Sequence, residues 1–170
     1  MIDVPLLTYM ATMSVTPGPN NLMLAASGVN FGFRRTLPHM LGISIGVGIQ
    51  IVLVAGLLAW VMTWLDALRL PLVFVGCAYL LWLAWRQARA GQPGSSEKRQ
   101  PLGFFGAALF QWVNPKAWLM SVGVVAAYTS PTAYWASLAL GAGVMLVVNY
   151  PCISVWTLFG SVIGRWLQSP

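Results

Sequence analysis

Long apolar runs with almost no internal charge constrain this chain more than any other feature of its sequence. Only 7% of the residues are charged, whereas soluble domains carry about 25%. A surface with so few charges would expose apolar patches that soluble monomers do not tolerate. Because the runs are long and do not alternate with polar residues, membrane helices are favoured over a membrane β-barrel. The sequence therefore predicts an all-α, polytopic membrane helix bundle.

The sequence contains five long apolar runs, and each can reach the roughly 20 residues that a helix needs to cross a bilayer. The third run reaches this length only with a residue or two from its flanks. A hydrophilic stretch, residues 87–101, has the composition of an exposed loop and is predicted to be cytoplasmic. It separates a front half, residues 1–86, from a shorter rear half, residues 102–170, and we expect residues 1–170 to form a single transmembrane domain. The five predicted segments are Val4–Val29, Leu37–Trp64, Leu70–Trp85, Phe104–Tyr128 and Ala133–Gly164.

Positive charges are distributed unequally between the two predicted sides of the membrane, and Lys and Arg concentrate in cytoplasmic loops. The side with few positive charges has Arg69, beside Asp66, and the acidic Asp3. We therefore expect an inner-membrane protein with its N-terminus outside and its C-terminus in the cytoplasm. Because the charges lie between apolar runs, the net charge of +6 does not indicate a nucleic-acid partner. The charges on the predicted cytoplasmic side are Arg34, Arg35, Arg86, Arg89, Lys98, Arg99 and Arg165.

Two prolines interrupt the first predicted segment near its middle, within Thr16–Asn21. Proline lacks a backbone N–H and clashes with the carbonyl four residues earlier, so Pro17 and Pro19 release the carbonyls of Met13 and Val15. A helix that restarts at Pro19 presents free N–H groups, which suit a carboxylate, while the released carbonyls suit an ammonium group. Many transporters hold zwitterions or ions at such a break. The alternative is a structural kink packed against neighbouring helices.

A second predicted break, Asn114-Pro115-Lys116, lies near the middle of the fourth segment, where Pro115 releases the carbonyl of Gln111. Lys116 lies about twelve residues from either end of that segment, too far to reach an interface easily. A charge at this depth costs about 2.5–3.5 kcal/mol, so it needs a cavity or a partner. We expect the partner to be a substrate carboxylate; alternatively, Lys116 marks a misplaced segment end. The chain's own carboxylates all lie in ends or loops: Asp3, Asp66 and Glu97.

The fifth segment contains a third predicted polar break, Asn149-Tyr150-Pro151, which we expect to line the same cavity. In the second segment, Gly42 and Gly46 form a G-x-x-x-G pair, which lets helices approach closely. The sequence indicates no catalytic residue, metal ligand or cofactor. The candidate substrate-binding residues are Pro17, Gly18, Pro19, Asn20, Asn114, Pro115, Lys116 and Asn149.

The two halves of the chain have related patterns. The first segment is predicted to run from outside to inside and the fourth from inside to outside, and each carries a proline–asparagine break at mid-depth. This is the pattern of an inverted repeat whose binding site lies at the interface between the repeats. We therefore expect the front half and the shortened rear half to be related by such a repeat.

At these motifs the sequence resembles the LysE/RhtB family of amino-acid exporters, over essentially the whole chain. The resemblance implies export of amino acids or close derivatives from the cytoplasm by a homo-oligomer. Family members typically have six helices, so it also implies that the sixth helix is missing. The matching stretches are Thr16–Asn20, Gly32–Arg35 leading into Gly42, Gly76–Leu80 through Trp85-Arg86, and Asn114–Ala117.

Three functions stay open from the sequence. We predict a secondary transporter rather than an enzyme, with a small amino-acid substrate and the lipid bilayer as its partners. The second candidate is an inactive or accessory subunit of a larger exporter, which the expected loss of a terminal helix motivates. The third is a carrier that passes electrons between thiols across the membrane, which would require Cys77 and Cys152 to meet.

Overall fold

A computed structural model of the chain describes residues 4–61, 74, 78, 100–130 and 132–168. These residues form helices joined by short turns, and no strand occurs in the described ranges. The structure thus confirms the prediction of an all-α helix bundle. The predicted third segment, apart from Phe74 and Ala78, and residues 87–99 of the predicted linker lie outside the described residues. The helices are α1, Val4–Val15; α2, Pro19–Val61; α3, Phe104–Phe110; α4, Pro115–Tyr128; and α5, Tyr134–Gln168.

The chain divides into two compact units, one comprising residues 1–56 and 100–170 and the other residues 57–99. The second unit lies almost entirely outside the described residues. All residues of the candidate site belong to the first unit, which contains α1, most of α2, and α3 to α5.

Helix α2 contains one interruption, at Gly32, whose backbone angles are φ 77° and ψ 171°. It is the sole positive φ among the described residues. A side chain at this position would be strained, because L-residues with a Cβ rarely adopt such angles. Gly32 thus divides α2 into two arms, residues 19–31 and 33–61, which correspond to the end of the first predicted segment and to the second.

The polarity of the first unit is that of a membrane protein, with apolar residues outside and polar residues inside. Large apolar side chains such as Val147 and Phe105 are 74% and 79% exposed, whereas Gln50, Gln111 and Ser121 are fully buried. Lipid accepts the apolar exterior, and buried polar groups must then satisfy one another. Within the described residues, two helical stretches are long and apolar enough to cross a bilayer, Pro19–Leu57 and Tyr134–Leu167.

The third predicted break is wrong, because α5 continues through Pro151 from Tyr134 to Gln168. A single proline removes one hydrogen bond, to the carbonyl of Val147, and the turns on either side can hold the helix together. At the first predicted break, two prolines flank a glycine, and three residues separate the end of α1 at Val15 from the start of α2 at Pro19.

Glycines allow the second arm of α2 to lie directly against α3. A Cβ at Gly42 would overlap the carbonyl oxygen of Phe104, and one at Gly46 would lie 2.8 Å from the Cα of Ala108. This is the close approach expected of the G-x-x-x-G pair. The contact brings the end of α3 beside the middle of α2. An apolar core lies around it, formed by both arms of α2 with α3 and α5: Leu24, Met40, Ile43, Ala107 and Ile153.

Candidate functional site

The break between α1 and α2 and the start of α4 meet at one small cavity, which α5 and the second arm of α2 also line. Its volume is about 20 Å³, which is roughly room for one water molecule. Five of the candidate residues line it, while Pro17, Pro19 and Pro115 lie at the breaks beside it. The polar residues of the lining are Ser14, Asn20, Asn21, Asn114, Lys116 and Asn149.

Lys116 reaches from α4 to the broken end of α1. Its Nζ donates hydrogen bonds to the carbonyl oxygen of Thr16 at 2.6 Å, to Thr16 Oγ1 at 2.8 Å, and to the carbonyl oxygen of Pro17 at 3.4 Å. An ammonium group has three protons, so each has an oxygen acceptor. We call these three atoms the oxygen site. The last carbonyls of a helix carry partial negative charge, so a cation there is electrostatically favoured.

The sequence analysis did not predict this arrangement. It identified the released carbonyls and the buried ammonium as separate features, each with a substrate group as its partner. In the structure Lys116 instead pairs with oxygen atoms of Thr16 and Pro17, because the break and the start of α4 lie side by side. The carbonyls of Met13 and Val15, which the sequence predicted to be released, accept hydrogen bonds from Thr16 Oγ1 at 3.4 Å and from Trp156 Nε1 at 2.9 Å. The described residues include no Asp or Glu, so backbone and hydroxyl oxygens provide the charge compensation for Lys116.

Gly18 provides the clearance that Lys116 needs to reach the oxygen site. A Cβ on Gly18 would lie 2.8 Å from Cδ of Lys116 and 3.4 Å from its Nζ. Carbon atoms do not approach so closely without displacement, so a larger residue would push the lysine stem away. Gly18 therefore has two roles: it lies in the break between α1 and α2, and it leaves space for the side chain of Lys116 from α4.

Two further side chains satisfy carbonyls at the end of α1. Asn21 Nδ2 donates to the carbonyl oxygens of Ser14 and Thr16, both at 2.8 Å, and Trp156 Nε1 donates to that of Val15 at 2.9 Å. Unpaired backbone carbonyls are costly in a membrane interior. The side chains from α2 and α5 thus pair carbonyls that the end of α1 leaves without a partner in its own helix.

The second break is stabilised in the same way. Asn114 caps α4 through its Oδ1, which accepts a hydrogen bond from the backbone N–H of Lys116 at 3.1 Å. Pro115 occupies the first turn, where its missing N–H costs nothing. The carbonyl of Gln111, which Pro115 cannot pair, accepts a hydrogen bond from Gln50 Nε2 at 3.2 Å.

An amide pair joins the two breaks directly. Asn20 Nδ2 donates to Gln111 Oε1 at 2.8 Å, and Gln111 Nε2 donates to Asn20 Oδ1 at 3.3 Å and to the carbonyl oxygen of Ala107 at 2.8 Å. Ser121 extends the network by donating to Gln50 Oε1 at 3.4 Å. Buried networks whose members are satisfied specify one arrangement of the surrounding helices.

Asn149 and Ser14 complete the polar lining. Asn149 Nδ2 donates to Ser44 Oγ at 3.0 Å, which ties α5 to the second arm of α2. Ser14 is 3% exposed, and its hydroxyl has no hydrogen-bond partner within the described part of the chain. A buried hydroxyl without a partner costs about 1–3 kcal/mol. Since Ser14 lines the cavity, a molecule bound there could supply the missing hydrogen bond.

Sequence reasoning missed several residues of this site. Their signal was present, since a polar side chain inside an apolar segment is costly unless it has a partner or a function. Their partners could not be identified without knowing which helices are neighbours. The missed residues are Ser14, Thr16, Asn21, Ser44, Gln50, Gln111, Ser121 and Trp156.

A family model described as LysE type translocator matches residues 11–170 of the chain. The cysteine/O-acetylserine efflux proteins of Salmonella typhimurium (strain LT2) and Escherichia coli (strain K12) are each 29% identical to it over 160 residues. These alignments cover 93% of this chain and 82% of each relative. No solved structure matches the chain.

Proposed function

Because the chain belongs to the LysE type translocator family, we propose that it is a secondary transporter that exports amino acids or close derivatives from the cytoplasm. The family is one of membrane translocators rather than enzymes. The observation that carries the proposal is the convergence of two helix breaks and the ammonium of Lys116 on one cavity.

The substrate class follows from the chemistry of this cavity. Lys116 and the N-terminal end of α2 suit a carboxylate, and the oxygen site suits an ammonium group. Together they match the two charged groups that every α-amino acid carries. The relatives are named for the efflux of cysteine and O-acetylserine. We therefore propose a small zwitterionic amino acid of this kind, held at mid-membrane between the two breaks.

Each candidate residue then has a proposed role. Pro17, Gly18 and Pro19 create the first break, and Pro115 with Asn114 creates the second. Lys116 pairs with the substrate carboxylate. Asn20, which pairs with Gln111, and Asn149, which pairs with Ser44, line the cavity and can use their remaining hydrogen-bonding capacity for the polar groups of a small substrate.

The orientation, with the N-terminus outside and the C-terminus in the cytoplasm, and the homo-oligomeric state are part of the same proposal. The unequal distribution of positive charges supports the orientation. The alternative of a thiol electron carrier requires Cys77, which lies outside the described residues, whereas membership of a translocator family favours transport.

Counterflow in proteoliposomes that contain only this protein tests the proposal. Liposomes loaded with unlabelled cysteine or O-acetylserine, under reducing conditions, should take up the labelled compound faster than protein-free liposomes. Loading with each of the other common amino acids would then define the range of substrates. Absence of counterflow for every amino acid would contradict transport by this chain alone and would favour an accessory subunit, which should co-purify with a larger homologous exporter.

A further inference from the structure

The oxygen site already has an occupant, the ammonium of Lys116. All three protons of this group have acceptors there. The neighbouring cavity holds about 20 Å³, room for a water molecule but not for an amino acid. An amino acid can therefore bind between the breaks when the lysine side chain moves.

A primary ammonium group of a substrate has the same charge and the same three donors as that of Lys116. We propose that the two groups exchange: the substrate ammonium replaces Lys116 at the oxygen site, and Lys116 turns to the substrate carboxylate. This inference rests on the proposed function, because it assigns the ammonium half of the same binding site. It adds that the lysine competes with the substrate for the oxygen atoms of Thr16 and Pro17.

The cost of charge in a membrane interior favours such an exchange. An ammonium without a partner is expensive there, and so are the carbonyls at a broken helix end. In the exchange, each charged group has a partner both before and after the substrate binds. When the substrate leaves, Lys116 returns to the oxygen site, so neither the lysine nor the carbonyls are left unpaired.

The exchange would also select zwitterions. A compound without an ammonium group cannot replace Lys116 at the oxygen site. A compound without a carboxylate would displace the lysine and leave its charge unpaired. A ligand favours the state in which Lys116 has turned away only as far as it binds that state more tightly than the state in which Lys116 occupies the oxygen site. Both the ammonium and the carboxylate of the ligand contribute to this difference, so both are needed.

Two other observations support a ligand at this position. Ser14 lines the cavity, is almost completely buried, and has a hydroxyl without a partner in the described residues. Gly18 gives the lysine stem space beside the break, because a Cβ there would lie 2.8 Å from Cδ of Lys116. A residue with a Cβ at this position would therefore press on the lysine stem beside the cavity.

The first experiment examines whether the oxygen site binds a free primary ammonium. Lys116→Ala removes the atoms from Cγ to Nζ, and propylammonium replaces them in number and kind. We expect labelled propylammonium to bind Lys116→Ala in nanodiscs at least tenfold more tightly than wild type. Lys98→Ala, which removes the other lysine of the chain, is the matched control and should behave as wild type. Equal binding to all three proteins would overturn the proposal.

The second experiment examines the exchange itself, without changing Lys116. Lys98→Arg leaves Lys116 as the sole lysine, so solid-state NMR of protein labelled with ¹⁵N-lysine gives one side-chain Nζ signal. We expect cysteine to shift this signal. We expect 3-mercaptopropionate, which lacks the ammonium, to leave it unchanged at the same concentration.

The control for this experiment is transport by the same preparation. If the vesicles transport cysteine and the Nζ signal does not move, Lys116 is a permanent cap of the broken helix and the exchange is refuted while the proposed function stands. If they do not transport cysteine, that substrate assignment fails, and the propylammonium experiment decides whether the oxygen site accepts an ammonium.

Discussion

Replacing Lys116 with methionine separates the role of its charge in stability from its role in transport. The side chain keeps a similar length, while two short hydrogen bonds, at 2.6 and 2.8 Å, and a longer one at 3.4 Å are lost. The acceptors do not all become unpaired: the Thr16 carbonyl retains Asn21 Nδ2 at 2.8 Å, and the Thr16 hydroxyl retains its bond to the carbonyl of Thr12 at 2.8 Å. These remaining hydrogen bonds should therefore limit the structural cost of the substitution.

Two opposing contributions determine how much the free energy of unfolding changes in Lys116→Met. Hydrogen bonds to a charged group contribute about 1.5–3 kcal/mol each, so the two short ones contribute about 3–6 kcal/mol. At the predicted mid-membrane depth, holding the ammonium costs about 2.5–3.5 kcal/mol, which the methionine variant avoids. We expect the free energy of unfolding to fall by no more than about 3.5 kcal/mol, and the variant to reach the membrane in normal amounts.

Transport should respond much more strongly. Losing the proposed contact with the substrate carboxylate should weaken the binding of that group by about 1.5–3 kcal/mol, roughly 10- to 150-fold in Kd. The vacant oxygen site should at the same time bind the substrate ammonium more tightly, and no lysine then displaces this group when the substrate leaves, so counterflow should fall. Membrane abundance and counterflow of labelled cysteine are measured on the same preparation, with Lys98→Met as the matched control. Normal abundance with unchanged counterflow would refute the reasoning and place Lys116 outside the transport pathway.

The remaining predictions concern the breaks and the topology. Replacing both Pro17 and Pro19 with alanine should restore two backbone hydrogen bonds and straighten the helix. We expect the variant to insert normally into the membrane and to lose transport. Counterflow at the wild-type rate would mean that the break is only structural. Asn20→Ala and Gln111→Ala should be non-additive in thermal stability, because the two amides are partners, with a coupling of about 0.5–3 kcal/mol in a double-mutant cycle; strictly additive losses would argue against a direct pair. A reporter fused after Pro170 should be active in its cytoplasmic form, and activity of an exported reporter there would contradict the predicted orientation.

The prolines show how well the local sequence predicts interruptions of a helix. The effect of Pro17 and Pro19 on their own helix depends on residues within four positions, so the sequence predicted an interruption where α1 ends and α2 begins. The same rule predicted a break at Pro151, and α5 continues there. The two sites differ in their neighbouring residues. At the first break, two prolines flank a glycine, whereas Pro151 is a single proline without a neighbouring glycine and deprives only one carbonyl of its hydrogen bond.

The sequence by itself determined that the protein lies in a membrane, that it is helical, and that helices are interrupted before Pro19 and before Pro115, because these features depend on composition and on contacts between near neighbours in the chain. The tertiary structure alone decided which groups meet. Lys116 and Thr16 are 100 residues apart, and Asn20 and Gln111 are 91 apart. Several buried polar side chains could in principle have satisfied the same carbonyls. Packing selected the partners, because close contacts such as those of Gly42 and Gly46 fix which helix faces meet, and hydrogen bonds then form between the groups that lie within reach.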